Sequence, residues 1–216
     1  TPLHLARAAA RRLRAPFFRL TGTITRVTTC EPLIALTFDD GPDPSATPRL
    51  LEVLARHDAG ATFFMLGACA ARHPELVREV AAAGHAIGNH SWDHPSFPLV
   101  PSAERRAQVR RAAAALGAHA TRLFRPPYGH QSLASRLDLL RLGYEVVTWN
   151  VTATDWLDHD ARWMADRVLG KVAPGSIVLF HDHLYTTVED HQTDRSTMIE
   201  AVALILEELR GRFRFV

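Results

Sequence analysis

Hydrophobic residues fall along this chain in short dense runs, separated by stretches in which they recur every third or fourth position. The runs are LIALTF (33–38), ATFFML (61–66), HAIG (85–88), TRLFR (121–125), YEVVTW (144–149), SIVLFH (176–181) and RFRFV (212–216). They are rich in β-branched and aromatic residues and short enough to be buried strands. The intervening stretches carry helical signals. TPRLLEVLARH (47–57) has Thr47 as an expected N-cap and Pro48 at the first helical position. Segments 73–84, 101–117 and 132–143 each stop on a glycine, and 160–175 and 196–211 complete the set. Strand and helix in alternation predict a parallel sheet. Strands apolar on both sides predict a sheet covered on both faces, as in a (β/α) barrel, with an open doubly wound sheet as the rival. No GxGxxG follows the first run, so a dinucleotide fold has no support.

Composition changes this picture little. The 216 residues are 47% hydrophobic and 22% charged, which suits one domain with a full core. The net charge of +2 gives no reason to expect nucleic acid. Cys30 and Cys69 lie in no metal-ligand spacing and are read as free buried thiols rather than a disulfide. Residues 1–31 are set apart as a basic arm or capping helix, and 32–216 as the catalytic domain. Arg7, Arg11, Arg12, Arg14 and Arg19 fall in a stretch without acids. Contact of that arm with a membrane or an acidic partner is one reading, and a helix covering the bottom of the domain is the other. The chain contains neither a long apolar span nor a signal-peptide core. A cytoplasmic location is therefore the first expectation, with a secreted or cell-envelope one if the N-terminus is trimmed.

Reactive residues cluster where strands are expected to end. Asp39 and Asp40 follow the first run, Asn89, His90 and His94 the third, and Arg125 to Tyr128 the fourth. Asp155 and Trp156 follow the fifth, and His181 and Asp182 end the sixth. In a parallel barrel these ends meet on one face, where active sites form. Two adjacent carboxylates are costly without a neighbouring cation. His90 and His94, spaced to share one side of a helical turn, add two imidazoles. With one aspartate they make the three protein ligands of a catalytic metal site, leaving a position for water. The other aspartate then stays free beside that water. Strand alternation points the two acids to opposite faces and does not say which is which. D-D-G-P alone would suit a tight turn.

The segments TFDDGP (37–42), HSWDH (90–94), RPPYG (125–129), TDW (154–156) and IVLFHD (177–182) resemble, in order, the motifs of the polysaccharide deacetylases of carbohydrate esterase family 4, the NodB-like domain. The resemblance runs from about residue 33 to the end. It implies a distorted, incomplete (β/α) barrel of about seven parallel strands. It implies a metal-dependent deacetylase releasing acetate from N-acetylated amino-sugar glycans such as chitooligosaccharide or peptidoglycan. It makes Asp39 the general base, steadied by Arg125. Asp40, His90 and His94 become ligands of one divalent ion, zinc by preference, with cobalt, nickel or manganese as substitutes. The backbone N–H of Tyr128 would serve the oxyanion. His181 would be the general acid, oriented by Asp155, and Trp156 and Leu179 would wall the acetyl pocket. One departure is visible: Thr152 stands where the family often has an aspartate.

Other residues are read blandly. Asp182 is expected to cap the following loop and His183 to be solvated. His57, His73, His119, His159 and His191 are taken as surface residues without partners. Trp149 and Asn150 suit either packing or a pocket role. The long segment 182–195 is expected to form part of the rim of an open groove. Rival functions are an O-acetyl esterase on a polymer such as acetylxylan, a non-catalytic glycan-binding module, and a barrel hydrolase of another small amide.

Overall fold

A computed structural model describes residues 22–187, 189 and 192–216. The arginines expected to form the basic arm lie outside the described residues, as does His191. The strands are β1 (Thr23–Ile24), β2 (Leu33–Asp39), β3 (Thr62–Met65), β4 (Ala86–Asn89), β5 (Ala120–Phe124), β6 (Glu145–Val147), β7 (Val151–Thr152), β8 (Ser176–His181) and β9 (Arg214–Phe215). They form one sheet in the order β1-β6-β5-β4-β3-β2-β8-β7. Every pairing is parallel, and β9 pairs with Leu33 and Ile34 of β2. This is a parallel half-barrel. All seven expected strands are present. The two additional ones, β1 and β7, have two residues each, too few to show a periodicity.

The helices are α1 (Thr47–Arg56), α2 (Gly67–Arg72), α3 (Pro74–Ala82), α4 (Ser102–Leu116), α5 (Leu133–Arg141), α6 (Ala161–Leu169) and α7 (Ser196–Glu208). The sequence reading missed α2, which has under two turns and opens on glycine. Gly67 is required there, because a Cβ would stand 2.5 Å from the Ala112 Cα of α4. The expected cap of α1 is corrected. Thr47 is the first helical residue and Ala46 occupies the N-cap. The Thr47 hydroxyl instead donates to Asp182, and Asp43 Oδ1 accepts from the N–H groups of Ser45 and Ala46. Among the described residues no helix is long and apolar enough to cross a membrane.

Alternation along β2 sorts its side chains between two environments. Ile34, Leu36 and Phe38 face outward into the main core beneath α1 and α7, with Leu50, Leu54, Val202 and Ile205. Phe38 stacks between Phe63 and Phe180 at ring separations of 5.1 and 5.8 Å. Ala35 turns inward, where Phe64, Val147 and Ile177 form a small inner core. The same inward row ends on Thr37 and Asp39. Register then sets heights: Asp39 pairs level with His181 of β8 and with Phe64 of β3. Strands that end level deliver their last residues to one floor.

Candidate active site

Asp39 and Asp40 both reach the pocket at that floor, although strand alternation would separate them. The reason is local: Asp40 lies just past β2 with φ 73°, so the chain turns there. Ser91 (φ 75°), His94 (63°), Tyr128 (59°) and Thr154 (56°) are also left-handed. Each such residue costs about 1–3 kcal/mol, and only packing around it can hold it. Asp58 alone among the non-glycine residues described with positive φ lies away from the motifs. His90 and His94 share no helical turn. They sit in an irregular loop after β4, and the two left-handed residues fold it so that both rings face Asp40.

Asp40, His90 and His94 bring one ligand atom each to within 4.8 Å of one another. The Nε2 atoms of both histidines lie 3.3 Å from Asp40 Oδ1. His90 Nδ1 stands 2.7 Å from the Arg125 carbonyl. A carbonyl only accepts, so Nδ1 carries a hydrogen and Nε2 is the nitrogen turned toward Asp40. Burial, then the neighbouring His90, lowers the pKa of His94 to about 4, keeping it neutral. Burial pushes Asp40 up, but His90 and His94 outweigh it and hold the carboxyl below its usual range. Its Oδ2 accepts from the Tyr185 N–H, and its buried Oδ1 has no hydrogen-bond partner. Two imidazole nitrogens and a carboxylate oxygen without a hydrogen-bond partner converge on one point, buried and close together. Two nitrogens and one carboxylate oxygen are the donor set of a divalent cation, so the residues fit a metal.

Asp39 is held from beneath. Arg125, fully buried inside the half-barrel, donates from Nη1 to Asp39 Oδ1 at 2.6 Å and to Thr37 Oγ1 at 2.8 Å. Its Nη2 donates to the Thr148 carbonyl, and its carbon lies 4.1 Å from the Phe64 ring centre. The guanidinium stays charged in so buried a place because Asp39 neutralises it. On the far side, His181 Nδ1 lies 3.1 Å from Asp155 Oδ1, and the His181 N–H donates to Asp155 Oδ2. Burial disfavours the imidazolium, but Asp155, assisted by Asp40 and Asp39, raises the His181 pKa to about 9.

Asp39, Asp40, His90, His94 and His181 line one pocket of about 380 Å³ with Tyr128, Trp149, Trp156, Leu179, Leu184 and Tyr185. Trp156 meets His181 edge-on at 5.5 Å, and Tyr128 meets His94 edge-on at 4.3 Å. Eight of the ten expected site residues therefore line this pocket, while Arg125 and Asp155 lie behind it, bonded to Asp39 and His181. Trp149 takes both readings left open, lining the pocket and packing over Gly129. Leu184, Tyr185 and Thr186 bring the expected rim from the long segment.

Several residues escaped the sequence reading. Arg195 is buried and pairs with Asp155, and a single arginine in a loop gives no spacing signal. Asp182 does not cap its loop. It is buried against Gly41, where a Cβ would lie 2.3 Å from its oxygen, and burial raises its pKa to about 7. His183 is half-buried and pairs with Asp43 at 3.1 Å. His73 pairs with Glu75 at 3.2 Å, His57 lies 3.9 Å from Glu207, and His159 stacks on Trp163 at 3.6 Å. Cys69 is buried as expected, Cys30 is exposed, and both are free.

Known proteins with this arrangement can now be set beside it. The chitooligosaccharide deacetylase of Azorhizobium caulinodans is 38% identical over 198 residues, covering 88% of this chain and 94% of that one. A peptidoglycan-N-acetylglucosamine deacetylase of Bacillus cereus is 38% identical over 164 residues, covering 72% of this chain but only 59% of its own length. The crystal structure of the Bc1960 peptidoglycan N-acetylglucosamine deacetylase superposes with a TM-score of 0.82 at 33% identity, covering 90% of this chain and 89% of that one. The sequence profile described as "Polysaccharide deacetylase" matches residues 26–147, which carry the first three motifs and the strands that place them. Ordered motifs, a shared half-barrel and relatives aligned over most of the chain lead to one conclusion: it belongs to the polysaccharide deacetylase family.

Proposed function

We propose that this chain is a zinc-dependent deacetylase that hydrolyses N-acetyl groups of an amino-sugar glycan, of the chitooligosaccharide or peptidoglycan kind. Asp40, His90 and His94 would hold the ion, and two imidazoles with one carboxylate suit zinc, with cobalt, nickel or manganese able to replace it. When bound, the ion supplies a Lewis acid that polarises the acetyl carbonyl and makes a water more acidic. Asp39, its second oxygen 3.8 Å from His90 Nε2, takes the proton of the attacking water, and Arg125 keeps its carboxylate in place. The Tyr128 N–H donates to the oxyanion that forms at the acetyl carbon. Trp156 and Leu179 enclose the methyl group. His181 then gives its Nε2 proton to the leaving nitrogen, and the amine departs as acetate forms.

One observation favours amide over ester. Asp155 keeps His181 protonated through neutral pH, with a pKa of about 9. An amine leaves poorly unless it is protonated, whereas an activated alkoxide leaves without help. The test is acetate release by the zinc-loaded chain from acetylated chitooligosaccharide and from acetylxylan. Release from the first at a rate above that from the second supports the reading. Release from acetylxylan alone would replace it with the esterase, and release from neither with the binding module.

A further inference from the structure

Both oxygens of Asp155 are committed. Oδ1 faces His181 Nδ1, and Oδ2 accepts from the His181 N–H and from Arg195 Nη2. Arg195 does more than pair. Its Nη2 also donates to the Asp155 carbonyl at 3.0 Å, and its Nε donates to the His181 carbonyl at 3.2 Å. With 4% of its surface exposed, the guanidinium is walled off from water in the turn before α7. One buried carboxylate thus serves two cations, the imidazolium in front and the guanidinium behind.

We propose that Arg195 is a positioning residue that sets the acid strength of His181 through the carboxylate they share. This rests on the reading of His181 as the leaving-group acid. Asp155 alone would hold the imidazolium proton tightly, and a proton held too tightly is donated slowly. Arg195 draws on the same charge and weakens that hold. Four other groups interact electrostatically with His181 or its neighbours: Asp39 at the end of β2 and Asp40 just past it favour its charge, His94 is neutral, and the adjacent Asp182 is turned toward Thr47. None of them touches Arg195, so its contribution can be changed separately.

The experiment measures kcat against pH for the zinc-loaded enzyme on an N-acetyl glycan and on an activated acetyl ester. In Arg195→Met the alkaline limb on the amide should move up by about one pH unit, with a lower rate at neutral pH. Arg195→Lys keeps the charge and should return the limb toward its wild-type position. If the methionine variant does not fold, Arg195→Gln, which keeps hydrogen bonds without charge, takes its place. A merely structural arginine would lower melting temperature and rate without moving the limb. A limb unmoved or moved downward in the neutral variants overturns the proposal for Arg195. A wild-type limb that is absent, or equal on amide and ester, overturns the acid role of His181 and this proposal with it.

Discussion

The two halves of the pocket are built from the ends of neighbouring strands, yet only one is complete. In the half formed by the loops after β7 and β8, Asp155 satisfies both oxygens, His181 Nδ1 has a carboxylate, and Arg195 bonds three acceptors. In the half formed beyond β2 and β4, Asp40 Oδ1 and His94 Nδ1 are buried without hydrogen-bond partners, and two imidazoles point at one oxygen. Native interiors rarely leave such groups unmatched. The contrast teaches a division of labour. On the proposed reading, the acid half would be tuned by protein charges already in place, while the metal half would be arranged around a cation.

Substitutions should therefore separate the halves. The largest effect belongs to the metal half. His90→Ala should lose the ion and with it acetate release, by more than the ~100-fold that losing a group orienting a ligand can cost. Asp39→Asn should lose ~100- to 10,000-fold in kcat with metal content unchanged, as removal of a general base does. Elemental analysis beside the rates checks both, and a metal-free Asp39→Asn protein would erase the distinction between ligand and base.

His181→Ala comes next. The rate on an N-acetyl amide should fall by ~100-fold or more, and on an activated acetyl ester by far less. Equal losses on the two substrates would move His181 out of the acid half. Asp155→Asn sharpens the same side through pH. Asp155 raises the His181 pKa above its ordinary value to about 9, so its loss should move the alkaline limb downward. The linked stability has the same sign. It is full below about pH 6.5 and lost as pH rises through about 9, so the variant's deficit in melting temperature should shrink across that window.

The smallest effect serves as a control outside both halves. Burial raises Asp182 from 3.8 to about 7, so the cost of ionising it in the fold grows as pH rises from about 4 to about 7 and changes no further above that. Asp182→Asn should melt within about a degree of wild type near pH 4 and several degrees above it near pH 7. A variant less stable at both pH values would mean that the hydrogen bond with Thr47 outweighs the buried charge.

The sequence carried most of the fold because the signals were local and repeated. Runs such as LIALTF and SIVLFH mark strands by their density, and alternation with helical stretches gives parallel order. It carried the ligand and acid candidates because the residues ending those runs are chemically unusual. It could not show how Asp39 and Asp40 come to share a pocket, since that depends on a left-handed turn at Asp40 rather than on strand periodicity. Arg195 and Asp182 were hidden for another reason. Their importance lies in burial against Asp155 and Gly41, contacts made by chain distant in sequence. Short elements such as α2 and β7 were hidden because two turns or two residues hold no period.

The incomplete half is tested most directly by stripping the protein with a chelator and titrating zinc back while following bound metal and acetate release. Wild type should take up one equivalent, and release should return in proportion to it. His181→Ala should bind zinc as wild type does without recovering amide hydrolysis, and His90→Ala should bind it weakly or not at all. Full acetate release from thoroughly stripped protein, or undiminished zinc binding by His90→Ala, would contradict a metal held by Asp40, His90 and His94.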